Sequence, residues 1–143
     1  MKWEKLRTPC YVVDEERLIH NLEILKGVQE RTGCKILLAQ KAFSMFHFYP
    51  LIGQYLSGTA ASGLYEARLG AEEMGKENHI FSPAYREEDF PQIVSLCSHI
   101  IFNSFSQLLR FGPFARAQGV SVGLRLNPEY STQADAHAMY DPC

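Results

Sequence analysis

Along this chain, apolar runs of strand character return about every 20–22 residues, and a helical stretch fills each gap. The runs begin near Ile36, Gly58, His79, His99 and Val120. The helical stretches cover about residues 48–56, 64–74, 89–97 and 105–118. Strands joined through helices run parallel, so the beat predicts an α/β fold around a parallel sheet. Two architectures satisfy five such strands. One is an open, doubly wound sheet of the flavodoxin-like kind. The other is the opening of a (β/α)8 barrel of the TIM type. The chain has 143 residues, which suits one domain but is short for a closed barrel of about 250.

The last run favours the barrel. In Val120-Ser121-Val122-Gly123-Leu124-Arg125-Leu126-Asn127 the aliphatic residues share one face. Ser121, Gly123, Arg125 and Asn127 share the other. A central strand of an open sheet is apolar on both faces. A barrel strand covers its outer face with helices and lines the interior with smaller or polar groups. Arg125 is therefore expected to point inward. An edge strand with one wet face is the bland alternative.

Ahead of the beat, Cys10-Tyr11-Val12-Val13 reads as a short strand. Asp14 sits at an N-cap position, with Glu15 and Glu16 in the first turn of a helix. Leu18, Leu22, Leu25 and Val28 give that helix one apolar stripe, and Gly33 ends it. Further on, Leu64, Ala67, Ala71 and Met74 form a second stripe. Ser104-Phe105-Ser106-Gln107 has the pattern of a capping box. Pro113 is expected to kink or interrupt the helix it falls in.

The first strand of the beat, Lys35-Ile36-Leu37-Leu38-Ala39-Gln40-Lys41, delivers a lysine to its carboxyl end. Strand ends are where barrels and open α/β sheets place their chemistry. A lysine among apolar neighbours has its ammonium form disfavoured, and the free amine is the form that attacks an aldehyde. The competing reading is a lysine snorkelling to water. The second strand ends in Gly58-Thr59-Ala60-Ala61-Ser62-Gly63, small residues that let a flat ligand approach the backbone. The same run also reads as a tight turn with Ser62 capping the next helix. It is neither a Walker loop nor Gly-x-Gly-x-x-Gly. Ser82-Pro83-Ala84-Tyr85 and Asn103-Ser104 close the third and fourth strands and read mainly as turn and cap residues.

Other chemistries find little support. His20, His47, His79, His99 and His137 show no metal-ligand spacing, and Asp135-Ala136-His137 is a weak hint. No Gly-x-Ser-x-Gly elbow is present. A net charge of −2 with no basic block disfavours nucleic acid. No segment reaches the length of a membrane span, and the start lacks a signal-peptide core. Cys10, Cys34, Cys97 and Cys143 are widely separated, which suggests reduced thiols and a cytoplasmic location.

Several motifs in one order resemble the opening of the fold-type III pyridoxal-phosphate (PLP) enzymes. That group includes alanine racemase and the ornithine and diaminopimelate decarboxylases. The motifs are Thr8-Pro9-Cys10-Tyr11-Val12-Val13-Asp14 and Leu38-Ala39-Gln40-Lys41-Ala42-Phe43. Gly58 to Gly70, Arg125-Leu126-Asn127-Pro128-Glu129-Tyr130-Ser131 and Tyr140-Asp141-Pro142-Cys143 resemble the carboxynorspermidine (carboxyspermidine) decarboxylases within it. Gln40 departs from the leucine-like residue usual before the lysine.

The resemblance implies a function and a cofactor. Lys41 would be the Schiff-base lysine of PLP, with Ser62 and Arg125 also on the cofactor. Arg125 would approach the ring on its phenolic-oxygen side. The implied reaction is decarboxylation of carboxynorspermidine or carboxyspermidine to norspermidine or spermidine, in polyamine biosynthesis. The family works as a homodimer on a small polyamine-carboxylate substrate. Its barrel begins with the Lys41 strand, whereas the first 14 residues would contribute a strand to a separate β-domain.

Residues 15–143 would then be a partial barrel, with later strands, the phosphate loop and the β-domain falling beyond Cys143. Such a fragment is expected to be poorly soluble, to bind PLP weakly and to be inactive alone. Alternatives are a diaminopimelate decarboxylase-like or alanine racemase-like enzyme, a non-catalytic PLP carrier and a flavodoxin-like binding module.

Overall fold

A computed structural model describes residues 5–131. Five parallel strands alternate with helices: β1 (Leu37–Ala39), β2 (Gly58–Ala61), β3 (Glu77–Phe81), β4 (His99–Phe102) and β5 (Ser121–Leu124). The helices are α1 (Glu15–Thr32), α2 (Tyr49–Ile52), α3 (Leu64–Glu73), α4 (Phe90–Leu96) and α5 (Phe105–Ala117). Strand order in the sheet is β1-β2-β3-β4-β5, and every pairing is parallel. A flavodoxin-like sheet reverses direction at a switch point, in the order 2-1-3-4-5. A sheet laid down in chain order is the beginning of a barrel, so the open doubly wound alternative is excluded.

The helices cover one side of the sheet. Thr59, Ala61, Asn78, Ile80, Ile100 and Phe102 face them and are buried. Ile80, Ile100 and Phe102 pack with Tyr85, Phe90, Ile93 and Phe111 into the larger of two apolar clusters. Leu22, Tyr49, Ile52 and Leu56 form the other, against α1 and the Lys41 strand. Alternate residues on the far face are only half-buried: His79 and Phe81 on β3, and His99 and Ile101 on β4.

Local signals act as the sequence suggests at most helix ends. Asp14 accepts from the Arg17 N–H at 3.2 Å, and Gly33 closes α1 at φ 71°. Ser104 caps α5, accepting from the Gln107 N–H at 3.3 Å. The Gln107 side chain reaches back to the Asn103 N–H at 3.0 Å.

Residues 10–13 carry no strand assignment, and Tyr11 is 95% exposed; a strand forms only where a neighbour supplies the ladder, and the one expected here belongs with a separate β-domain. Two other expectations are corrected. The helix expected over 48–56 is a 3-10 turn, Phe46–Phe48, followed by the single α turn of α2. There Pro50 sets the start, and the Gly53 N–H bonds Tyr49 O at 2.8 Å as the turn ends. Finally, α5 runs unbroken across Pro113. Both Pro113 and Leu109, whose carbonyl loses its helical donor there, lie on the exposed side, so water can satisfy that oxygen. No helix among the described residues is long and apolar enough to cross a membrane.

Candidate active site

The inner face of the sheet is built by alternation. Leu37, Ala39 and Lys41 extend from β1, Ala60 and Ser62 from β2, and His79 and Phe81 from β3. Together with Ile101 they line one hollow of about 250 Å³. Small side chains on β1 and β2 make the space, and the carboxyl ends of the strands place Lys41 and Ser62 at its rim.

Lys41 lies two residues past the end of β1. The ladder extends one bond further, with Gln40 N–H donating to Ala60 O at 3.1 Å. A turn follows, closed by bonds from the Ala42 and Phe43 N–H groups to Ala39 O at 3.0 and 3.2 Å. Gln40 faces the helices and is fully buried, beside the Tyr49 hydroxyl at 3.3 Å. Lys41 therefore faces the hollow, but its side chain is exposed, not enclosed among apolar groups as the sequence reading expects. The reason is geometric: five strands in chain order leave the inner face open between β1 and β5.

Ser62 also borders the hollow and is exposed. It does not cap α3: the N-cap is Gly63, which has no side chain to offer. The Glu66 carboxylate instead turns back and accepts from the Ser62 N–H at 2.5 Å. Arg125 follows β5, its own N–H donating to Phe102 O at 2.8 Å. Its guanidinium carbon stands 5.2 Å from the centre of the Phe81 ring. Phe81 lines the hollow with Lys41, so lysine and arginine occupy the same side of the sheet.

The turn residues play the structural part. Tyr85 is buried, donates to Ile101 O at 2.9 Å and accepts from Ser82 N–H at 3.1 Å. Burial pushes its phenol up to about 12.

Sequence reasoning missed one constellation. The β3–β4 register sets His79 beside His99, and their rings stack with centroids 4.0 Å apart. Glu77 Oε1 lies 3.1 Å from His79 Nε2 and 3.4 Å from His99 Nδ1. The signal was the beat itself: residues one strand-to-strand interval apart become neighbours when parallel strands pair in register. The residues of Asp135-Ala136-His137 and Tyr140-Asp141-Pro142-Cys143 lie outside the described part.

The residues present fit PLP. An exposed primary amine and a floor of alanines line one hollow, and a guanidinium stands over the aromatic ring of Phe81 that borders it. The amine suits an aldehyde, the floor admits a flat ring, and the guanidinium complements an anionic oxygen.

No family model matches the chain. Individual relatives do. It is 45% identical over 139 residues to carboxyaminopropylagmatine decarboxylase of Synechocystis, covering 96% of this chain and 35% of that protein. It is 41% identical over 143 residues to a carboxynorspermidine/carboxyspermidine decarboxylase of Campylobacter jejuni, covering 100% and 36%. The Herminiimonas arsenicoxydans protein of the same name is 41% identical over 126 residues, covering 88% and 34%. The crystal structure of C. jejuni carboxynorspermidine decarboxylase complexed with norspermidine superposes with a TM-score of 0.84, at 41% identity, over 91% of this chain and 35% of that one. The chain spans about a third of the length of the curated relatives it matches. In sequence and fold together, then, the chain is similar to about a third of the length of the carboxynorspermidine-type decarboxylases, and that third corresponds to a partial TIM-type barrel.

Proposed function

We propose that this fold serves PLP-dependent decarboxylation of carboxynorspermidine or carboxyspermidine, giving norspermidine or spermidine in cytoplasmic polyamine biosynthesis. The observation that supports it best is the hollow shared by Lys41, Ser62 and Phe81 beneath Arg125, in a chain 41–45% identical to decarboxylases of carboxylated polyamines. PLP, when bound, supplies an electron-accepting ring for the pair left as carbon dioxide departs.

The chain's own residues bind and orient. Lys41 would hold the cofactor through its aldehyde. Arg125, steadied by the face of Phe81, would set positive charge beside an anionic oxygen of the cofactor. Ser62 adds a hydroxyl at the rim, and Ala60 leaves the ring room to lie against the backbone. Enclosure from water belongs to a complete barrel in a homodimer. The 143-residue chain by itself therefore binds PLP weakly and turns over no substrate.

The 45% identity to the carboxyaminopropylagmatine enzyme favours a second substrate of the same class, in which a guanidino group replaces the distal amine. Both readings need the same lysine. Incubation of the chain with PLP, borohydride reduction and peptide mapping tests it. The pyridoxyl group is expected on the Lys41 peptide and absent from Lys41→Ala. Even labelling of Lys5, Lys26, Lys35 and Lys76 would remove Lys41 from the site.

A further inference from the structure

We propose that Glu77, His79 and His99 form a binding site for a divalent transition-metal ion of the Zn²⁺ class, at the amino ends of β3 and β4. The three side chains each offer one donor atom, and these atoms lie within 4.8 Å of one another. Tetrahedral zinc holds nitrogen and oxygen donors at about 2.0–2.2 Å, which sets neighbouring donors roughly 3.3 Å apart. The Glu77 Oε1 to His79 Nε2 and His99 Nδ1 distances, 3.1 and 3.4 Å, already match that spacing. The two rings stack at 22°, so holding a common ion requires the imidazoles to turn about χ2 out of that stack until their lone pairs converge. Two imidazoles and one carboxylate are the donor set of zinc, nickel and copper; calcium and magnesium take oxygen ligands.

The surroundings agree. The side chains of Glu77, His79 and His99 are 18%, 26% and 34% exposed, which leaves a path for the ion and room for water ligands. Glu77 is held below the usual carboxylate range, first by the hydrogen bond from Lys35 and then by that from His79. His99 is held below the ordinary imidazole value, by burial first and by His79 second. The bland alternative is a polar ion-pair patch. Lys35 supports it, for its ammonium sits 2.7 Å from Glu77 Oε2. Yet that contact engages the other carboxylate oxygen, and the lysine side chain is 65% exposed and free to swing away. The site lies at the strand starts and shares only His79 with the hollow that Lys41 borders at the strand ends, so metal binding is read on the chain without PLP. Its structural effect would be to tie β3 to β4.

Calorimetric titration of the 143-residue chain with Zn²⁺ tests this, with Cys10, Cys34 and Cys143 replaced by serine to remove competing thiols. One equivalent is expected to bind at micromolar or lower concentration. His79→Asn and His99→Asn should each weaken it by at least about tenfold with unchanged far-ultraviolet circular dichroism. Lys35→Met separates the readings: a metal site gains affinity when the competing ammonium goes, and an ion-pair patch does not. Absence of saturable heat would overturn the site. So would zinc affinity indifferent to all three substitutions. If one histidine variant fails to fold, the other and Lys35→Met still decide.

Discussion

A single missing methyl sets the distance between β2 and β3. A Cβ on Gly58 would stand 1.8 Å from the carbonyl oxygen of Glu77. Gly58→Ala must therefore push the strands apart, and it should cost about 1–3 kcal/mol or more, as overpacking does. A urea midpoint equal to that of the parent chain would contradict this. The small-residue run around it thus divides its duties. Gly58 serves strand packing, while Ala60 and Ser62 face the hollow; a sequence shows their size but not their side.

Cys97 supplies a second residue-level test. Burial pushes its thiol up to about 12, whereas Cys10 and Cys34 are exposed. The thiolate is the reactive form. Iodoacetamide at neutral pH should therefore label Cys10 and Cys34 promptly, and Cys97 only when the chain unfolds. Peptide mapping reads the order, and early labelling of Cys97 would refute its burial. The sign for stability follows. Cys97 and Tyr85 both have raised values in the folded state. The unfolded chain ionises them first, near 9 and 10, so stability falls as pH rises from about 9 toward 12.

At the scale of elements, one buried amide joins three of them. Asn78 Nδ2 donates to Ala67 O on α3 at 2.8 Å and to Leu96 O at the end of α4 at 3.1 Å. Its Oδ1 accepts from the Thr59 hydroxyl on β2 at 3.0 Å. Asn78→Ala strands two carbonyls and a hydroxyl in the core, so a loss of about 1–3 kcal/mol is expected. Amide exchange should quicken first in α3 and α4 if the loss is local. Uniform quickening over all five strands would show that the amide does not tie these helices.

The elements themselves were largely legible. Period, caps and turn residues placed the starts of all five strands within two residues and marked the ends of α1 and α5. The anchors between elements were not, because Asn78 in sequence is only a polar residue inside an apolar run. Its partners become visible when the β2–β3 register sets Asn78 against Thr59. His79 and His99 were hidden for the same reason, and a metal search by local spacing passes over them.

For the molecule as a whole, the decisive feature is a sheet that pairs each neighbour once and stops. Among the described residues β1 is bonded only to β2, and β5 only to β4. Both outer strands present unpaired backbone groups, and the inner face between them exposes Ala39 and half-exposes Phe81 and Ile101. Unpaired edges beside apolar surface recruit other strands. One feature restrains this: β1 is only three residues long. The net charge of −2 is too small for strong repulsion. β5, with four residues and no charge within the strand, is the more exposed liability. The chain should therefore self-associate as its concentration rises. Light scattering after size exclusion should show a mass that grows with loading and falls on Val122→Lys, which sets a charge against edge pairing at some cost to packing. Leu124→Pro, which removes a backbone donor that points away from β4, should act in the same direction. A constant monomer mass across the accessible range, in the parent and both variants, would mean that the inner face and edges are covered, and that the open hollow around Lys41 is not the state in solution.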